Sequence, residues 1–247
     1  MTEAPLFRYR VTFGKRGRLS LLSHLELTHA LERMIRRSGL PFAVTQGFSP
    51  HMRIGFGAAL PVGVGSTCEV FDLYLVRSVA PAKILAALAE ASPEDLRPTQ
   101  VVCVAGKKPA ASIAFPLSTY EAILDGAQMP PNERLSVPET VTVERNGTEK
   151  TFTVADYLAG AVTARVFEGA VGGADGEARN GAAADPAGGA DEGIADRAAG
   201  NTLAVTFTLR VLQTGSLRPD ALLSSVLAEN GIEGEVRTLT RIEQRAR

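Results

Sequence analysis

An α+β fold is predicted by three features of the first 110 residues. These are a strand of strict alternation, a capped amphipathic helix behind it, and a strand–helix–strand–strand–helix–strand order overall. In "LFRYRVTFGK", Phe7, Tyr9, Val11 and Phe13 face one way and Arg8, Arg10 and Thr12 the other, the pattern of a half-buried strand. "GKRGRLS" is a glycine-bearing turn. "SHLELTHALERMIRRSG" reads as a helix: Ser23 and Glu26 have the spacing of a capping box, and Gly39 follows the end. Leu27, Leu31, Met34 and Ile35 share its apolar face, with Glu26, His29, Arg33 and Arg37 opposite or nearly so.

"LPFAVTQ" is predicted as a short second strand, which "MRIGFGAAL" continues or pairs with. "TCEVFDLYLV" alternates imperfectly, as a bulged or two-sided strand does. "APAKILAALAEAS" is a helix with Pro81 near its start, and "LRPTQVVCVAG" a closing strand. The order β-α-β-β-α-β is the ferredoxin-like arrangement, assigned to residues 1–110.

Residues 111–247 are read as a second, similar α+β domain. "FPLSTYEAILDG" is a strand, and "ETVTVERNGTEKTFTV" a hairpin turning at Asn146–Gly147. "VADYLAGAVTARVF" is taken as a helix. "NTLAVTFTLRVLQ", "RPDALLSSVLAENG" and "EGEVRTLTRIEQ" complete a strand, a helix and a last strand. Between Gly169 and Ala199, 19 of 31 residues are Gly or Ala and six acids face two arginines. Such a segment buries too little apolar surface to offset its ordering entropy, so a disordered acidic insertion is expected at 169–199.

Composition excludes several classes. Two cysteines, Cys68 and Cys103, make neither a disulfide framework nor a three-cysteine cluster, and both sit in apolar runs that suit buried, inert thiols. No apolar signal region opens the chain and no window nears membrane-spanning length, so a cytoplasmic setting without membrane contact is expected. The net charge of −1 conceals an asymmetry. Residues 1–55 hold nine Lys/Arg against Glu3, Glu26 and Glu32, a basic module of about +6 suited to an anionic partner.

Candidate site residues cluster in that basic part. Lys15, Arg16 and Arg18 precede a helix N-terminus, where free N–H groups and the dipole favour an anion. His24 follows the cap residue Ser23, on the stripe of Leu31 and Ile35. It is either a core residue or, beside the positive helix end, a neutral ring able to take a proton or a metal. "VTQGFSPHMRIGFG" gathers Gln46, Gly47, Phe48, Ser49, Pro50, His51 and Arg53. Phe48 either plugs the core or offers a stacking face, with a phosphate contact from Arg53 and base-edge bonds from Gln46.

Three segments, "KRGRLSLLSHLE", "TQGFSPHMRI" and "LPVG", resemble the bacterial radical-SAM-linked domain family. The match is strongest over residues 6–76, fades through about 125 and is thin in the last third. Ser49 stands where Asn is usual in that family and Met52 where Pro is usual. The resemblance implies a domain fused behind, or encoded beside, a radical-SAM protein that often has a cobalamin-binding region. The iron–sulfur cluster, S-adenosylmethionine and cobalamin would then belong to the partner, and this chain would bind no cofactor or metal.

The resulting expectation is an accessory or substrate-presenting module for a radical-SAM enzyme, with RNA as the preferred substrate class. The alternative is a stand-alone metal- or ligand-binding enzyme using His24 and His51, with Glu69 or Asp72 completing a divalent-metal site. Whether these histidines are catalytic stays open between the two readings.

Overall fold

The computed structural model describes residues 5–145, 147–167, 202–212 and 215–246. The disordered insertion expected at 169–199 lies outside the described residues. In chain order the elements are β1 (Phe7–Lys15), α1 (His24–Arg37), β2 (Ile54–Phe56), β3 (Gly65–Leu75), α2 (Pro81–Ala91), β4 (Pro98–Cys103), α3 (Ala111–Ala114) and β5 (Leu117–Asp125). They continue with β6 (Arg134–Leu135), β7 (Thr140–Arg145), β8 (Thr148–Thr153), α4 (Val154–Tyr157), β9 (Val162–Val166), β10 (Leu203–Arg210), α5 (Pro219–Glu229) and β11 (Glu235–Arg245).

The fold is mixed α+β, built on one nine-stranded sheet in the order β4-β1-β3-β11-β5-β10-β9-β6, with β2 also on β3 and β7–β8 a separate hairpin. Every pairing in the large sheet is antiparallel except β3 with β11, joined at Gly65 and Ser66. That short parallel contact is where the two halves of the chain meet. Two apolar clusters pack against the sheet. One holds Tyr9, Val11, Phe13, Phe71 and Leu73 with the inner faces of α1 and α2. The other holds Tyr120, Ala122, Val205, Phe207 and Leu239 with α5.

The local signals of the first helix act as expected. Ser23 Oγ accepts from the Glu26 N–H, Glu26 Oε2 accepts from the Ser23 N–H at 2.8 Å, and Leu27, Leu31, Met34 and Ile35 are the buried face. Ser23→Ala should therefore lower stability by about 1 kcal/mol, as for other lost N-caps. Calorimetric melting checks this. β3 is buried on both sides, which explains its broken alternation.

Four expectations are corrected. "LPFAVTQ" forms no strand. Phe42 and Val44 make only isolated bridges, to Leu75 and Met52, because Pro41 lacks an N–H donor and the chain then leaves the sheet edge. "VADYLAGAVTARVF" is not one helix. It turns once as α4, stops before Gly160 at φ +91°, and continues as β9, whose Val162, Thr163 and Val166 are β-branched. The second half therefore does not repeat the element order of the first. Cys103 is exposed at the end of edge strand β4, and only Cys68 is partly buried.

Candidate functional site

The stretch around Gln46–His51 is an exposed loop with a braced base. Val44 bridges Met52, the Thr45 N–H donates to the His51 carbonyl at 2.8 Å, and the His51 N–H donates to Thr45 Oγ1 at 3.0 Å. Beneath this clamp, Ala43 N–H donates to the Tyr74 carbonyl and Arg53 N–H to the Ala43 carbonyl, tying both legs to the end of β3. Gly47 adopts φ +137°, a region L-residues avoid, with open space around its Cα. Met52 alone turns inward, into the first apolar cluster.

Gln46, Phe48, Ser49, Pro50 and His51 are all exposed. Phe48, at 110% relative exposure, does not plug the core: its ring projects fully into solvent. Burying a phenylalanine is worth about 1.5–3 kcal/mol, which this side chain forgoes. Nearby, the Arg53 guanidinium lies 5.1 Å from the Tyr74 ring centroid, a cation–π contact that holds the charge beside the loop.

The basic turn divides. Lys15 is buried, 1% exposed, and its Nζ donates to the Leu22 carbonyl at 2.9 Å, so it does not face an external anion. Burial pushes its ammonium pKa down, opposed by the Glu69 carboxylate. Arg16 and Arg18 are exposed. Ser23 is occupied as the cap. His24 is exposed rather than in the core, because the first turn of α1 overhangs β2. Its ring meets Phe56 edge-on, centroids 5.3 Å apart.

The structure does not bring the histidines together. His24 rests against Phe56 of β2, whereas His51 lies five residues before Phe56, in the exposed loop that precedes β2, its backbone clamped to Thr45. The two carboxylates considered with them are otherwise engaged. Asp72 accepts from Arg10 Nε at 2.8 Å, Arg10 Nη2 at 3.0 Å and the Ala111 N–H at 2.9 Å. Glu69 accepts from Arg241 Nε at 2.9 Å and Nη2 at 2.6 Å. Among the described residues no group of three or more His, Cys, Asp or Glu is placed to hold a metal ion.

The Glu69–Arg241 pair was not foreseen. Arg241 is 1% exposed and opposes Tyr120 across β11 and β5. With Lys15 and Glu69 it forms a charged seam between the two apolar clusters. "TLTRIEQ" reads locally as an ordinary strand, and Glu69 is 172 residues away, so no local pattern announces the pair.

A family model described as an uncharacterised protein conserved in bacteria (DUF2344) matches residues 8–160, more than half of the 247. No curated protein matches the chain.

Proposed function

The chain belongs to this bacterial family, and on that premise we propose that it is an accessory module that presents RNA to a radical-SAM enzyme. The observation that carries the reading is Phe48, an aromatic ring held fully in solvent on a clamped loop, with Gln46, Ser49, His51 and Arg53 around it. A ring so placed suits stacking on an unpaired base, and the neighbouring amide and guanidinium suit a base edge and a phosphate. The site is the loop itself, at the Tyr74–Leu75 end of β3, whereas the basic turn with Arg16 and Arg18 lies at the Ser66 end.

The radical chemistry is assigned to the partner. Two cysteines cannot supply the three thiolates of a radical-SAM cluster, so the partner would carry the iron–sulfur cluster, S-adenosylmethionine and cobalamin. The antiparallel order β4-β1-β3 with β2 on the far side of β3 supports a ferredoxin-like reading of residues 1–110 and a second unit at 111–247. Among the described residues no helix is long and apolar enough to cross a membrane. The proposed setting is the cytoplasm, on the ground that two cysteines make no disulfide framework.

Of the nine cations in residues 1–55, several have structural employment. Arg10 is paired with Asp72, Lys15 is buried, Arg8 holds the Ala105 and Lys108 carbonyls, Arg37 holds the Ala91 carbonyl, and Arg36 lies 3.8 Å from Glu32 and over the Phe42 ring. Arg16, Arg18, Arg33 and Arg53 remain as exposed phosphate contacts. Four contacts to a single strand give a log–log salt slope near −3, or roughly a 50-fold loss of affinity between 50 and 200 mM salt. Fluorescence anisotropy with a short unpaired RNA measures it. Affinity that is flat with salt, or no binding at low salt, would overturn RNA as the substrate class.

A further inference from the structure

A second cleft, of about 520 Å³, opens between the Ala58–Val62 segment and the turn that leads into α5. It includes "LPV" of the "LPVG" motif, which the loop reading leaves without a role. Its floor is Arg241 and Tyr120, cross-strand partners that are 1% and 5% exposed. Leu60, Val62, Leu209 and Leu217 give it apolar walls, and Arg210 and Arg218 also line it.

The floor is built for a polar contact. Nε and Nη2 of Arg241 are occupied by Glu69 and the Ala58 carbonyl, which leaves Nη1 for the Tyr120 side. The Tyr120 hydroxyl lies beside that guanidinium and beside Ser118. Burial raises the phenol pKa, so Tyr120 keeps its proton and can donate it. Ser118 is fully buried behind this floor and does not line the cleft.

The lining favours an anion: Arg210, Arg218 and Arg241 line the cleft and, among the described residues, no carboxylate does. Arg218 is the N-cap residue of α5, with no side-chain cap on its first turn, so that positive helix end faces the same space. Asp220 pairs with Arg218 and Glu69 with Arg241, while Arg210 donates to the Leu158 carbonyl and keeps its charge. The volume lies in the usual range for small-molecule clefts.

We propose that this cleft binds a small organic anion, its carboxylate or phosphate head between Arg241, Arg218 and the first turn of α5 and its apolar body along Leu60, Val62 and Leu209. The site is separate from the Phe48 loop and does not depend on the RNA reading.

The test is calorimetric titration of the full chain with phenyl phosphate, benzoate and benzyl alcohol. At least one of the two anions should bind saturably, with Kd near 1 mM or tighter, and benzyl alcohol at least tenfold more weakly. Whichever anion is tighter identifies the head group. Val62→Asp places a negative charge on an exposed wall, and Arg218→Gln removes a cation while leaving Asp220 at the helix start. Each should weaken anion binding tenfold or more, with unchanged RNA binding and a melting temperature within a few degrees of the parent. Absence of saturable binding by both anions would overturn the proposal. So would binding unchanged by either variant, or benzyl alcohol binding as tightly as the anions.

Discussion

Glu69→Leu should be the most destabilising single substitution of a charged residue in the chain, costing about 3–5 kcal/mol, as expected when one partner of a buried ion pair is removed. Glu69 and Arg241 are 5% and 1% exposed, and the carboxylate receives three of the guanidinium's hydrogen bonds. Without it, the Arg241 charge stays between two apolar clusters with the Ala58 carbonyl and the neighbouring Tyr120 hydroxyl, but no opposite charge, to serve it. The double variant Glu69→Leu/Arg241→Met should recover most of the loss, because it removes the desolvated charges together. Denaturant unfolding of both single variants and the pair gives the coupling. Single variants that unfold at the parent midpoint would show that the seam is hydrated and the pair dispensable.

Lys15 adds a pH dependence to the same seam. Burial lowers its pKa in the folded chain, with Glu69 opposing and Arg241 reinforcing the shift. Below that lowered value the ammonium is charged in both states, and the cost of burying it is fully present. As pH rises through it, the folded chain releases the proton while the unfolded chain still holds it, so stability rises until the ordinary lysine value is reached. Lys15→Met should flatten that rise.

These residues also mark where sequence reasoning stops. The first helix was legible because its signals are local: the Ser23–Glu26 box, the Leu27/Leu31/Ile35 stripe and Gly39 at φ +67° all act within one element. The alternation of β1 was legible for the same reason, as was a hairpin near Gly147. Lys15 was misread because "GKRGRLS" looks like a solvated basic turn. What buries it is the Leu22 carbonyl on one side and, from distant strands, Glu69 and Arg241. The helix expected over "VADYLAGAVTARVF" gave way to pairing with β10, which offers β9 a ladder that propensity alone does not reveal. In the candidate site, the residue types of the loop were readable, but its exposure was not. Phe48 turns out and Met52 turns in, a choice that the residue types of the loop do not decide.

That outward ring supports the second large effect. Phe48→Ala should leave the melting curve unchanged, since the side chain buries nothing, yet weaken RNA binding roughly 5- to 150-fold, the range for one lost base–aromatic stack of ~1–3 kcal/mol. His51→Ala should likewise melt as the parent, because the clamp uses the His51 N–H and carbonyl rather than its ring. It should nevertheless abolish partner-dependent product formation in a strain lacking the native gene. Two conservative changes separate the possible uses of the ring. Phe48→Tyr preserves a stacking face, whereas Phe48→Leu preserves apolar area without one. If tyrosine restores binding and leucine does not, the ring stacks on a base. If leucine serves as well, the loop docks into an apolar pocket of a protein, and RNA is not what it touches. A His51→Ala chain that complements fully would remove the loop from the site, because an exposed clamp whose side chains can all be lost without consequence is only a turn.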